Sequence, residues 1–369
     1  MGSTQTAEVL FLSQADAIEA GVTDMERCIE RMEYVFELYA NDRVLMGGPG
    51  QYLHGHMTTF PSGLAEVETR KLRPGSRFGA MPAYVGGDVD KVGVKWYGSV
   101  TAKPNEVHPP RSPPLLVLTD PDTGGPLAIM DGSLISTMRT GAMAGLGAQY
   151  LQGHHAETAT IIGPGKVGQA SALALDRTLD SLEDVHVYHP ELHKAEAFEK
   201  RMDETLAANV TSSDSAEASV SESDVIIAAA SGDPSPRIES QWLKADSTVI
   251  QFGDLRVPLA AFDDGQIFCD IRQHPVEFET QVGWDITSAF NAAIDGTDGF
   301  SLEISDIRTL HELIGGTDLD ETKGASFLSS LGLPMEDITW GNEVYENAIS
   351  EGIGTTLTVH DEPYFSKPY

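Results

Sequence analysis

Residues Glu157–Gln169 read ETATIIGPGKVGQ, and the fold turns on this stretch. An apolar run, Ala159–Ile162, leads into Gly163-Pro164-Gly165-Lys166-Val167-Gly168, a GxGxxG pattern directly after a predicted strand. Gln169–Leu179 then reads as the helix that the turn opens. In such a unit Gly163 permits the tight turn, Gly165 lets backbone approach a pyrophosphate, and Gly168 lets helix pack on strand. The helix start presents unpaired N–H groups and the positive end of a dipole to the phosphates. The pattern therefore predicts a dinucleotide site. A glycine-rich turn in some other α/β unit would look similar in isolation, so the flanking sequence has to agree.

Downstream it does. Strands are predicted at 158–162, 184–188, 225–230, 247–251 and 266–271, with helices at 166–179, 191–207 and 239–244. This alternation implies a mostly parallel, doubly wound sheet. The end of the second strand, Tyr188-His189-Pro190-Glu191, falls where an adenosine ribose would sit. An acidic residue there suits the ribose hydroxyls of NAD, whereas an arginine would accommodate the phosphate of NADP. No arginine is present. Glu191 stands one residue beyond the ideal position and His189 is placed to touch a phosphate, so NAD is the expected cofactor and NADP stays open.

Upstream, Val9–Leu12 is a short predicted strand. Thr23-x-x-Glu26 is a capping box opening a helix with Met25, Cys28, Ile29, Met32, Val35, Phe36 and Tyr39 on one face. Gln51–Pro61, Phe78–Val85 and Val92–Ser99 read as strands. Pro-rich Lys103–Pro114 is a loop, Leu115–Met130 a hairpin, and Ser136–Gln152 a helix with Arg139 near its start. Ser301–Tyr369 is expected to be helical, with apolar residues at helical spacing in Ser326–Leu331, Met335–Ile338 and Val344–Ala348 and a stop at Gly352-Ile353-Gly354.

The chain has 369 residues, enough for two domains. No apolar run approaches the roughly 20 residues of a membrane span. No basic region followed by an apolar stretch appears near Met1, so a cytoplasmic location is expected. The myristoylation-like Met1–Thr6 and the Asn209-Val210-Thr211 sequon are discounted as chance matches. Acidic residues outnumber basic ones 56 to 24, giving a net charge of −32, and they are spread along the chain. Such a surface repels itself in dilute buffer. At about 1 M salt the Debye length falls to about 3 Å and the repulsion is screened. A halophilic protein is expected. The charge argues against nucleic acid as a partner, since phosphate binding needs clustered Lys and Arg. Cys28 and Cys269, the two cysteines, read as core residues in a reducing compartment. His54 and His56 lack an evident third ligand and read as sheet residues, so no metal is expected.

Several motifs recur in a fixed order: Met81-Pro82-Ala83, Lys95, Asp120 through Ala128, Arg139-Thr140-Gly141-Ala142, Gly163–Gly168, Gly253-Asp254, and Ser330–Asp337. In this order they resemble the ornithine cyclodeaminase/mu-crystallin family over nearly the whole chain. The resemblance implies an α/β fold in which a Rossmann-type doubly wound parallel sheet, residues 141–324, is inserted in an α+β substrate-binding and dimerisation domain built from 1–140 and 325–369. It also implies a homodimer, and chemistry at the Cα–N bond of amino acids through NAD or NADP. Family members include cyclodeaminases, alanine dehydrogenases, ketimine reductases and opine-type dehydrogenases, so fold alone leaves the reaction open.

An amino-acid substrate brings a carboxylate, and this acidic chain has few cations to meet it. Lys95, in an otherwise apolar strand, and Arg139, at a helix start, match carboxylate-binding positions of the family. A guanidinium suits a carboxylate bidentately. Asp254 follows a strand at its C-terminal end, where ligands bind in open α/β sheets. It matches the aspartate taken to move a proton or orient water at the substrate amine, so Asp254 and Lys95 are the catalytic candidates. The cofactor set implied is Gly163, Gly165, Lys166, Val167, Gly168, His189 and Glu191, with Thr140 and Ser231. The bland readings are a lysine with its amine in solvent and a simple turn aspartate.

Two departures bear on substrate. Cyclodeaminases carry a glutamate two residues before the Met-Pro pair, where this chain has Gly79, with Arg77 two residues earlier. The family's upstream arginine has no clear counterpart in Val44–Gln51, and Arg77 and Arg111 are the candidates to replace its charge. Loss of the acid weakens an ornithine reading, and an extra arginine suggests a second carboxylate. The segment Gly93–Ser99 with Arg111-Ser112 looks most like the opine-type branch. Oxidation or imine reduction of an amino-acid-derived amine is thus expected ahead of cyclodeamination of ornithine, and both ahead of a non-enzymatic nucleotide-binding protein.

Overall fold

A computed structural model describes residues 7–48, 50, 54–59, 76–99, 113–231, 235–262, 265–274, 303–320 and 323–361. The elements of the first half are β1 (Ala7–Leu12), α1 (Gln14–Glu19), α2 (Met25–Ala40), β2 (Val44–Met46), β3 (His56–Thr59), β4 (Arg77–Val85), β5 (Lys91–Ser99), β6 (Leu115–Thr119), β7 (Pro126–Asp131) and α3 (Gly132–Gln152). There follow β8 (Thr158–Ile162), α4 (Lys166–Thr178), β9 (Asp184–Tyr188), α5 (Leu192–Met202), β10 (Asn209–Ser213), α6 (Ala216–Ser221), β11 (Val225–Ala228) and β12 (Thr248–Gln251). The last are β13 (Gln266–Cys269), β14 (Arg308–Thr309), α7 (Leu310–Ile314), β15 (Ser326–Ser329), α8 (Pro334–Glu351) and β16 (Thr355–His360).

Contacts divide the chain into two units. One comprises Met1–Asp24, Asp42–Ser136 and Leu333–Tyr369, the other Met25–Asn41 and Thr137–Gly332. Compared with a division at 141–324, the second unit also takes in α2 and β15.

The first unit is built on a mixed sheet in the order β16-β1-β7-β6-β5-β4-β2, with β3 also on β4. The β6–β7 hairpin explains the Asp120 motif: Asp120 Oδ1 accepts from the N–H groups of Asp122 and Thr123, both at 2.8 Å, and Gly124 takes φ +69°. β4 alternates strictly between buried and half-buried residues, with Arg77, Gly79, Met81, Ala83 and Val85 buried. That period of two marks one covered face. Helix α8 packs on β4, β5 and β6. It can do so because two glycines leave room: a Cβ on Gly93 would lie 2.8 Å from Ile338, and one on Gly341 would collide with Leu116. Proline at its first turn starts α8, and Gly352 ends it at φ +71°.

The second unit carries an all-parallel sheet in the order β10-β9-β8-β11-β12-β15-β13-β14. The chain runs β8 to β9 to β10 in one direction, then crosses to β11 on the other side of β8. That reversal is a topological switch point, and the fold is a Rossmann-type doubly wound sheet. Strands β11, β12, β13 and β15 are buried throughout.

Two readings of the C-terminal part are corrected. Ser326–Ser329 is not helical but the strand β15, wedged between β12 and β13. A four-residue run buried on both faces has no alternation to distinguish it from a helical turn. Thr355–His360 is likewise a strand, β16, antiparallel to β1 at the sheet edge. All its residues are exposed, so it has no burial period. The helix at 191–207 is shorter, ending at Met202, and 239–244 contains only a 3-10 turn, Ser240–Trp242. Of the 51–61 strand, His56–Thr59 is seen as β3, and most of the Pro-rich loop lies outside the described residues.

Candidate functional site

In the second unit the glycine turn has the geometry its sequence predicts. Gly163 sits at φ +108°, where a Cβ would lie 2.7 Å from the backbone nitrogen of Ala230. A Cβ on Gly168 would collide with the carbonyl of Gly163. Gly165 is different. It is the N-cap of α4 with φ −75° and ψ −174°, ordinary extended backbone, and a Cβ there would meet nothing within 4 Å. So Gly163 and Gly168 are required by the fold, whereas the space above Gly165 is open. That space belongs to a cleft of about 410 Å³ lined by Gly163, Pro164, Gly165, His189, Lys194 and the Ala229-Ala230-Ser231 segment, among others. The start of α4 opens there, with Lys166 and Val167 in its first turn.

His189 and Glu191 close the far end of β9. The Glu191 N–H donates to His189 Nδ1 at 2.9 Å, which places any ring proton of the neutral form on Nε2. Burial, with the charge of Lys194, pushes the His189 pKa down. Glu191 stands at the N-cap position of α5 without a capping hydrogen bond from its side chain, and its carboxylate is paired with Lys194. The hydrogen bond from Lys194 holds its pKa below the usual range. Lys194 was not anticipated from sequence; the i,i+3 spacing to Glu191 was its one visible signal.

Asp254 is the third residue beyond β12, after Phe252 and Gly253, and the turn is strapped to the end of β11. Gly253 N–H donates to Ala228 O and Asp254 N–H to Ala230 O, both at 2.9 Å. A side chain on Gly253 would collide with the Ala230 carbonyl. The Gly-Asp pair thus lies beside the strand end whose next residues line the cleft.

Arg139 is in α3, where the Arg-Thr-Gly-Ala motif gains a packing reason: a Cβ on Gly141 would lie 2.6 Å from Ala170 of α4. Thr140 is half-buried in the same turn. Arg139 is only 7 % exposed, and Gly332, at φ +81°, lies against its guanidinium with no room for a Cβ. The turn that carries Gly332 is held by Asp270, a fully buried residue just past β13. Its Oδ2 accepts from Leu331 N (2.7 Å), Gly332 N (2.9 Å) and Ser330 Oγ (3.2 Å). Burial raises the Asp270 pKa to about 6, against these hydrogen bonds and the charge of Arg139.

In the first unit Lys95 lies on β5, between β4 and β6 and away from the sheet edge, and is 5 % exposed. Its Nζ donates to Asp337 Oδ2 at 2.5 Å and to Ser136 Oγ at 3.4 Å. Asp337, in the first turn of α8, is fully buried. The Asp337 pairing was not foreseen, since 242 residues separate the partners. Arg77 is 7 % exposed at the start of β4; burial pushes the pKa of Tyr97 on β5 up, and the nearby Arg77 charge pulls it down. His56 is exposed on β3, and no group of three or more His, Cys, Asp or Glu among the described residues converges on a metal-sized site. Cys28 and Cys269 are buried thiols and form no disulfide with each other. Arg111 lies outside the described residues.

The sequence profile of the ornithine cyclodeaminase/mu-crystallin family matches residues 22–352. The chain belongs to this family. Among its similar relatives, an N-((2S)-2-amino-2-carboxyethyl)-L-glutamate dehydrogenase from Staphylococcus aureus is 26 % identical over 96 % of this chain and 99 % of its own. An alanine dehydrogenase from Archaeoglobus fulgidus is 26 % identical over 95 % of this chain and 98 % of its own. Among solved structures, the Thermococcus litoralis Delta(1)-pyrroline-2-carboxylate reductase in complex with NADH and L-proline superposes with a TM-score of 0.78 at 21 % identity, covering 94 % of this chain and 99 % of that one. An archaeal alanine dehydrogenase dimer with bound NAD gives 0.77 at 22 %, covering 96 % and 100 %. At these identities the structural likeness speaks for the fold.

Proposed function

We propose that this member of the ornithine cyclodeaminase/mu-crystallin family is an NAD(P)-dependent oxidoreductase. It acts at the Cα–N bond of an amino acid or of an amino-acid-derived secondary amine or imine. The observation that carries this reading is the cleft at Gly163–Gly165, whose open space above Gly165 suits a pyrophosphate, in a chain similar to enzymes named as amino-acid and imine dehydrogenases and reductases. NAD, with NADP as the alternative, would exchange the hydride when bound. The backbone of 163–168 and the α4 N-terminus would hold its phosphates, with Lys166, Val167, His189, Glu191, Thr140 and Ser231 around it.

The protein's own groups divide the remaining work. Lys95 and Arg139 neutralise the substrate carboxylate and fix the Cα hydrogen's direction. Asp254 takes the proton from the amine nitrogen during oxidation, or orients the water that attacks the imine carbon. The first unit serves for substrate binding and dimerisation. A homodimer is supported by β16, which leaves Leu357 and Val359 exposed at a sheet edge. Among the described residues no helix is long and apolar enough to cross a membrane.

A substrate panel read at 340 nm with parallel ammonia measurement tests the reaction. Stoichiometric NADH change supports the oxidoreductase. Ammonia release with no net NADH would make it a cyclodeaminase, and neither would leave a nucleotide-binding protein. We further infer a halophilic, cytoplasmic setting from the net charge of −32. The thermal midpoint should rise steadily with KCl over the molar range, and an equal midpoint in dilute buffer would remove that inference.

A further inference from the structure

We propose that Lys194 is a coenzyme-specificity residue: it gives the adenosine end of the cleft a receptor for a 2′-phosphate, so that the protein binds NADP(H) as well as NAD(H). This rests on the oxidoreductase reading and assigns a role in it to a residue of α5.

Strand register places the residues. β8 and β9 pair in parallel with Ile162 opposite Tyr188, and the Gly163 N–H donates to Tyr188 O at 3.2 Å. His189 therefore stands beside the glycine turn, at the strand end where a Rossmann-type sheet meets the adenosine ribose. In an NAD site that place suits a carboxylate, which accepts from the ribose hydroxyls. Here it holds an imidazole whose Nδ1 is taken by the Glu191 N–H, so its Nε2 carries the ring proton and is a donor. One face of α5 forms the adjoining wall: Lys194 and Ala197, three residues apart, both line the cleft with His189. His189 and Lys194 offer protons rather than accept them. A phosphate dianion needs such partners, and a ribose hydroxyl does not.

Charge placement agrees. The first turn of a helix favours acidic side chains, because the dipole is positive there. α5 has no acidic residue in its first turn and carries Lys194 instead, in a chain where acidic residues outnumber basic ones 56 to 24. Glu191, at the N-cap, makes no capping bond with its side chain. Its carboxylate pairs with Lys194 and lies 3.9 Å from His193 Nε2. The hydrogen bond from Lys194, with the charges of Lys194, His193 and His189, holds the Glu191 pKa low. An ammonium has three donors. Among the described residues Glu191 is the one side chain that Lys194 meets, and the lysine side chain is 46 % exposed. Lys194 can therefore hold Glu191 and a phosphate oxygen together, while Glu191 stays within reach of the ribose hydroxyls of NAD.

The test is fluorescence titration of the protein with NADH and with NADPH in molar KCl, with no substrate present. The wild type should bind NADPH within about tenfold of NADH. Lys194→Gln should weaken NADPH about tenfold and leave NADH within about twofold, in line with one charge-assisted contact at a half-exposed site. Glu191→Gln should shift the other way, tightening NADPH by removing the carboxylate that competes for Lys194. Both side chains are exposed, so both variants should fold. Calorimetry with 2′,5′-ADP in place of NADPH and ADP in place of NADH should repeat the pattern without the nicotinamide. Equal losses of the two coenzymes in Lys194→Gln would make the lysine a pyrophosphate contact and overturn the proposal. So would a wild type that binds NADH and not NADPH, which leaves the oxidoreductase reading standing. A wild type that binds neither coenzyme refutes that reading and the proposal with it.

Discussion

The glycine turn of the second unit and the β4–β5 face of the first are both candidate binding surfaces, and they are built in opposite ways. The turn uses backbone. Its glycines lie within Gly163–Gly168, and two of the three are demanded by close backbone, Gly163 by that of Ala230 and Gly168 by the Gly163 carbonyl. The sheet face uses side chains drawn from Arg77, Lys95, Tyr97, Ser136 and Asp337, and its central pair joins residues 242 positions apart. A backbone site is written in a short word of sequence. A side-chain site exists only once strands are in register and a helix is laid across them.

Substitutions can break that contrast. The largest effect is expected at Gly165. Because its backbone is extended and its Cβ position empty, Gly165→Val should fold, losing about 1 kcal/mol of cap preference. It should nevertheless abolish NAD(P) binding by filling the approach to the pyrophosphate. Undiminished NADH fluorescence titration would show that the open space is not the phosphate site. Asp254→Asn comes next. It keeps shape and removes the proton acceptor, so turnover should fall roughly 10²–10⁴-fold with cofactor affinity nearly unchanged. Near-normal turnover would make Asp254 a turn residue only.

The sheet face should fail in stability as well as in activity. Lys95→Ala leaves the fully buried Asp337 without its cation, which typically costs about 3–5 kcal/mol. The double variant Lys95→Met with Asp337→Leu should recover most of the stability and none of the activity. Denaturant melts of these two variants and the wild type in high salt check this. Arg139→Ala should mainly raise the substrate KM, without such a penalty at Asp337.

The smallest effect is a pH dependence at Asp270. Its carboxyl is raised in the fold to about 6 from 3.8. Ionisation is thus disfavoured by folding, and the group's contribution is fully present below pH 4 and lost as pH rises through 6. That difference amounts to at most about 3 kcal/mol. Relative to Asp270→Asn, the wild type should gain stability as pH falls from 7.5 to 4. A difference that is flat with pH would mean the carboxyl titrates normally.

Legibility followed the same division. β8, the turn and the start of α4 could be read from thirteen residues because chain stiffness and close backbone approach act over short range. So could the Asp120 turn, whose hydrogen bonds reach only two or three residues. β15 was misread because a strand buried on both faces shows no alternation, and β16 because an exposed edge shows none either. Lys95 was conspicuous as a charge in an apolar strand, but nothing in its neighbourhood names Asp337.

What the sequence by itself determined is the glycine turn, the alternating order of the parallel sheet, the acidic composition and the family. Each depends on local backbone geometry, composition or motif order. What only the tertiary structure decided is the insertion of β15 between β12 and β13, the pairing of Lys95 with Asp337, the Asp270 turn beside Arg139, and the Tyr97 phenol that fills the space at Gly79. Each depends on residues far apart in the chain being brought within hydrogen-bonding or van der Waals distance, and one sequence read along its length carries no record of that distance.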